Sequence, residues 1–433
     1  MIKEKMKQLI GKSINKYNTQ HVKDVVSELK FKEQYQGRII DCMVGEVDDN
    51  YIETPETDSS IVKLEHSKEG LIKVHSIKGK TILVDADGNE TDTPAEGCRL
   101  VSVGEEDNKL IFLSKNKNLF DGKIEIVEYP NKQRTVNFIK VKPNTNYISS
   151  QIFNTSGWTC VEEYDKNFNL IKDSNKGFSN GKFTTLENTY YIKLKWHTDY
   201  NLTNVMVVEG NVLPTEFIPY QSHKTEILLN EPLRSLPNGV CDEIIGNQLI
   251  RRIGKKVLDG SETWWKNWRY SDDKYSSICR SDFGQKNNTI VLSNILPNIS
   301  YVDAYYSRVE GVGTYNNKGR EYSFTLCFNK KDGYENASDI LSDRPIEILY
   351  ELAEPIIEEL PNSITLQGFD DTTMYIENSI TPTVTYGYNA LIPYKEEVLN
   401  QQQEVETNTL DIEQNIIPYL MDMEFNLMLM EDE

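Results

Sequence analysis

The feature that most limits how this chain can fold is its punctuation. Runs of alternating apolar and polar residues recur, and Gly, Pro, Asn or Asp breaks them roughly every 8 to 12 residues. In YYIKLKWH (190–197), Ile192, Leu194 and Trp196 share one face while Tyr191, Lys193, Lys195 and His197 share the other. That is the period of a half-buried strand. Strands this short, joined by turns this frequent, build antiparallel sandwiches and barrels.

With 433 residues the chain is too long for one ordinary core. Its clearest block is 118–224, where FIKVKPNTNYISSQIF, the hairpin CVEEYDKNFNLIKDS and the strands of 183–210 predict a jelly-roll sandwich. A second sandwich-like region, 225–392, holds YSFTLCFN, IEILYELA, SITLQGF and TPTVTYGY. The stretch 37–117 reads as a small β domain. Within it, Asp85-Ala86-Asp87-Gly88-Asn89 has the opening residues of a calcium loop, with Glu96 twelve positions along. Position six, however, is Glu90 rather than Gly, and Pro94 interrupts the loop, so a hairpin turn is expected.

Both termini read as helical. Met6, Leu9, Ile10 and Ile14, then Val22, Val25, Val26 and Leu29, give 1–36 an apolar stripe suited to attachment. The last segment, 393–433, ends in IIPYLMDMEFNLMLM, with Pro418 ending or kinking the helix, and is expected to dock or oligomerise. The expected fold is therefore mainly β and multi-domain, with two jelly-roll or sandwich-like domains, a small N-terminal β region and helical segments at both ends.

A formal net charge of −20 makes the chain a poor general binder of nucleic acid or anionic membrane. It contains no run of about 18 apolar residues, the length a membrane helix needs. The first 20 residues lack an apolar signal core, which predicts synthesis in the cytoplasm without a signal peptide. Six scattered Cys with no CxxC read as free thiols rather than a zinc or redox site. The five His fall in separate segments, and HExxH, GxSxG and phosphate-loop spacings are absent. Glu162 and Glu163 are neighbours on one predicted strand and so point to opposite faces, which argues against their acting as a pair. No catalytic residue, metal ligand or cofactor is expected.

Binding has more to work with, because aromatic planes stack on sugar faces while amide and carboxylate groups hold hydroxyls. The candidate carbohydrate-binding residues are Trp158, after Ser156-Gly157, and Trp264, Trp265 and Trp268 in WWKNWRYSDDKY. The competing use of one or two of the last three is as plugs for the core of the second sandwich. Trp196, alternating with Ile192 and Leu194, is expected in the core.

Several motifs occur in a telling order: NLF (118–120), VKPNTNY (141–147), YDKNFNLI (164–171), FTTLENTYYIKL (183–194), VVEGNVLPTEFIPY (207–220) and ILYELAEPIIEELP (348–361). This order resembles tail proteins of phages that infect Gram-positive bacteria, and of related tailocins, across roughly 118–380. One departure is Phe168, which stands where the usual hairpin turn has Gly. The resemblance implies a virion component at the baseplate or tail fibre, homo-oligomeric (a trimer by analogy), assembled with other tail proteins. It would mount or contribute to recognition of a bacterial surface glycan. The alternatives are a receptor-binding tip proper, or a polysaccharide-degrading enzyme with carbohydrate-binding modules.

The stretch 230–265 carries a Cys-Asp-Glu cluster that invites a reactive reading. Yet Val240–Ile245 and Gln248–Ile253 flank Gly246-Asn247, a two-residue hairpin turn. That register sets Asp242 opposite Arg251 and Ile244 opposite Leu249, so the cluster reads as a structural joint.

Overall fold

The structure is a computed structural model. It describes residues 51–127, 132–150, 160–173, 181–199, 201–266, 274–279, 281, 283–286, 289–300, 303, 309–314, 324–329, 334 and 336–391. The expected terminal helices, 1–36 and 393–433, lie outside the described residues. Among the described residues the fold is mainly β, every registered strand pair is antiparallel, and an α-helix spans Ala337–Asp343.

The central element is an eight-stranded sheet. Its order is Tyr51–Glu53, Thr383–Asn389, Gly70–Lys78, Glu243–Ile245, Gln248–Leu258, Ile346–Glu359 and Val291–Ser293, with Thr365–Gly368 also paired to Gly70–Lys78. A four-stranded sheet of Ser222–Leu228, Lys109–Lys115, Thr373–Ile376 and Ile61–Lys63 accompanies it, as does a small sheet of Glu90–Thr91, Thr81–Val84 and Arg99–Ser102.

These pairings redraw the expected boundaries. The described part of the stretch 37–117 closes only the small sheet of 81–102 by itself. Its other long strands pair far away, Gly70–Lys78 with 243–245, 365–368 and 383–387, and Lys109–Lys115 with 222–228 and 373–376. The physical reason is burial. Ile72, Val74 and Ile77 are almost fully enclosed, and local hairpins within 51–117 offer too little apolar surface to cover them. Nor is 225–392 one sandwich, since its strands are divided between the central sheets and a separate four-stranded sheet. Residues 52–388 form one compact unit; a second unit comprises 1–51 and 389–433, of which only Tyr51 and 389–391 are described.

Two modules are inserted into this body in the same way. The chain leaves Lys109–Lys115 and returns on Ser222–Leu228, its antiparallel neighbour, with Lys115 opposite Ser222. It leaves Gln248–Leu258 and returns on Ile346–Glu359, with Leu258 opposite Ile346. The first insertion is a sandwich whose two sheets draw every strand from within 118–224. One sheet runs Leu170–Asp173, Cys160–Tyr164, Tyr191–His197, Lys132–Thr135, Ile124–Ile126, with Ile139–Lys140 also on Tyr191–His197. The other is Lys182–Thr184, Asn146–Ser149, Val207–Glu209. Between them lie Phe120, Tyr147, Val161, Ile192, Leu194, Trp196 and Val207, joined by Tyr375 from the body. Each buried side chain of this size contributes roughly 1.5–3 kcal/mol, so the alternation in 190–197 is enough to fix that strand's face.

The second insertion is a four-stranded sheet, Trp264–Lys266, Lys274–Cys279, Phe324–Asn329 and Gly311–Thr314. The helix closes it, burying Ala337, Ile340 and Leu341 in the core of Phe324, Leu326 and Phe328. Asn336 caps the helix by accepting a hydrogen bond from the Asp339 N–H at 3.1 Å.

The expected hairpin at the joint is present. Ile244 faces Leu249 and Ile245 faces Gln248, and Gly246 takes φ +60°, as the first position of a Gly-first turn requires. Asp242 is fully buried, with Arg251 Nη1 at 3.6 Å from Oδ2. Its carboxylate accepts backbone N–H groups from Arg234, Arg252 and Ile253 at 3.0, 2.8 and 3.0 Å. Further along, Gly254 sits opposite Tyr350, whose ring would meet an added Cβ at 2.5 Å. The glycine makes room for that ring.

Candidate functional site

The site begins with two turns of one design. In Asp85–Asn89 the Asp85 N–H donates to the Asn89 carbonyl at 2.9 Å and the Gly88 N–H to the Asp85 carbonyl at 3.1 Å. Asp85 Oδ1 accepts from the N–H groups of Asp87 and Asn89. Asp165–Asn169 repeats every one of these bonds, with Phe168 donating to the Asp165 carbonyl at 3.2 Å. The aspartate therefore organises its own turn in both places, and the calcium-like spelling of 85–89 is used for a hairpin.

The two turns contribute to one cleft of about 870 Å³, within the size range of ligand sites. The small sheet supplies Lys80, Ile82, Glu90 and Arg99, and the sandwich supplies Lys140, Lys166, Asn167, Tyr190 and Tyr191. The segment 376–381, together with Asp58, Glu105 and Glu106, completes the lining. Four cationic side chains (Lys80, Arg99, Lys140, Lys166) thus meet four acids (Asp58, Glu90, Glu105, Glu106). Lys140 Nζ donates to the Ile376 carbonyl at 3.2 Å, and burial pulls its pKa below the usual lysine value against the attraction of Glu377. Burial pushes the Tyr191 phenol up, so it stays protonated and can donate.

Tyr191 also belongs to an aromatic shelf on the outer face of the sandwich. Phe168 stacks on it with centroids 4.4 Å apart and planes at 25°. Phe138 packs against Tyr164, Phe168 and Tyr191 at 4.8, 4.9 and 6.1 Å, and Lys193 Nζ lies 4.6 Å from the Phe138 centroid. The rest of this face is charged and internally paired. Arg134 reaches Glu125 at 2.7 Å and Glu162 at 3.4 Å, and Lys195 bridges Glu162 and Asp173. Tyr164 Oη donates to Glu162 at 2.8 Å. Glu163 is turned to the other side, where it accepts from Thr189 Oγ1 at 2.6 Å and the Leu186 N–H at 2.8 Å. Aromatic planes beside a lining of mixed donors and acceptors suit a polyhydroxylated ligand.

The predicted binding residues fall elsewhere. Trp158 and Trp268 lie outside the described residues. Trp264 and Trp265 are consecutive on one strand, so they face opposite ways. Trp264 packs against the core of the second module and donates Nε1–H to Glu262 Oε2 at 3.3 Å, whereas Trp265 is 51% exposed. The structure does not bring these two onto one platform. Trp196 is in the sandwich core, as its alternation predicts. The cleft was missed because its walls come from 58–106, 140–191 and 376–381. One signal was available, namely Phe168 in a glycine position.

No protein-family model matches the chain, and no curated protein matches it. Among solved structures it is similar to the infectious bursal disease virus VP2 subviral particle, at 10% identity, over 90% of this chain and 97% of that one. The TM-score is 0.09, and a likeness so slight carries no argument.

Proposed function

We propose that the protein is a structural component of a phage or phage-tail-like particle, at the baseplate or tail fibre, that contributes to recognition of a host surface glycan. The observation that carries the binding part is the cleft between sandwich and small sheet, with Tyr190 and Tyr191 in a charge-balanced polar wall. The motif order of 118–220 and 348–361 supports the particle. In that setting the chain assembles with other tail proteins and as a homo-oligomer, a trimer by analogy, and needs no cofactor. Full-length protein passed over immobilised wall polysaccharide of Gram-positive bacteria is expected to be retained without releasing new reducing ends. Release of reducing ends would replace this reading with the polysaccharide-degrading one. Absence of retention would remove glycan recognition and leave a connector.

A further inference from the structure

Phe168 holds a backbone conformation that its side chain disfavours. It is the fourth residue of the Asp165–Asn169 turn and has φ +63°. In the matching turn at 85–89 the fourth residue is Gly88, with φ +87°, the residue type that enters this region freely. A bulky side chain there is an outlier that the surroundings must sustain. Burial alone does not account for it, because Phe168 remains 51% exposed. The ring stacks on Tyr191 and meets Phe138 at a tilt, and its exposed part adjoins in sequence Lys166 and Asn167, which line the cleft.

We propose that Phe168 is the stacking residue for a neutral saccharide chain that runs out of the cleft onto the aromatic shelf. This rests on reading the cleft as a glycan site, and it adds where the chain leaves and what kind of chain it is. One pyranose lies on the exposed part of the Phe168 ring, and the next enters the cleft among Lys166, Asn167 and Tyr190. The equal numbers of cationic and acidic groups in the lining favour an uncharged polymer over a polyanion. Tyr191, held beneath Phe168 and braced by Phe138, keeps the ring flat against its ligand.

The test is to titrate the full chain and its variants Phe168→Gly, Phe168→Asn and Phe168→Tyr onto immobilised neutral wall polysaccharide from Gram-positive bacteria, and to record the thermal melting of each. Gly and Asn both tolerate the left-handed backbone, so each keeps the turn while removing the ring. The expected result is a cooperative melt for both, with affinity reduced about tenfold, the size of one lost aromatic contact, and affinity restored in Phe168→Tyr. If the Gly variant fails to fold, the Asn variant decides. Parental affinity in the ring-less variants would overturn the role of Phe168 while leaving the cleft as a site. Absence of binding by the parent would overturn both.

Discussion

Asp242 shows how much one side chain can organise. It collects three backbone N–H groups and faces Arg251, all within the interior. Burial pushes its carboxyl up from the usual value, while those partners pull it down. Asp242→Ala would strand three backbone N–H donors, while Arg251 keeps Glu358 and the carbonyls of Glu231 and Pro232. A loss of about 3–5 kcal/mol is therefore expected in a urea melt from the donors alone. A loss below about 1 kcal/mol would mean that water replaces the carboxylate. Cys160 makes a second residue-level case. Burial, opposed by Lys195, raises its thiol from 9.0 to about 11. The folded state therefore holds this proton more tightly than the unfolded one. The associated stability is complete below pH 9 and is lost as pH climbs to about 11. Such a shift amounts to roughly 2–3 kcal/mol. The stability difference between parent and Cys160→Ala should accordingly shrink across that interval, and a difference that stays level with pH would contradict it. Sequence alone could pair Asp242 with Arg251 by register, but not with three N–H groups, two from the strand Gln248–Leu258 and one from the loop at Arg234. It could also mark Phe168 as a departure from Gly, without showing which ring lay beneath it.

At the scale of elements, what was legible was local. Period-two alternation placed Ile192, Leu194 and Trp196 inward, and a Gly-Asn pair set the 244–249 register, because both depend on residues within one turn or strand. Strand partners far away in sequence were not legible. Nothing in GLIKVHSIK says that its neighbours are 243–245, 365–368 and 383–387, and each of those runs would pair equally well nearby. The tryptophans show the same period-two rule: Trp264 and Trp265 are adjacent on one strand and so face opposite ways, one toward the module core and one outward.

For the whole molecule, the body is closed by strands from both ends of 52–388, and each module is a detour between two hydrogen-bonded strands. Lys115 and Ser222 are cross-strand partners, so a short turn can join them. Replacing 116–221 by such a turn should leave a β-rich protein with a cooperative but lower melt, since Tyr375, Ile61 and Leu113 lose the cover of the sandwich core. A product without a cooperative transition, by circular dichroism or calorimetry, would show that sandwich and body fold only together. The cleft belongs to this scale as well, because it exists only where the sandwich meets the small sheet and the 376–381 segment. No single stretch of sequence carries it.

The closure of the body also decides how a mechanical load would travel. Near the two ends of 52–388, the Thr54 N–H donates to the Tyr386 carbonyl at 2.8 Å, and the Val384 N–H to the Thr57 carbonyl at 2.8 Å. A pull on those ends is taken up by these neighbouring strands and does not run through the detours. The sandwich, with its aromatic shelf, hangs beside the line of tension, so its shape is kept while the body bears the strain.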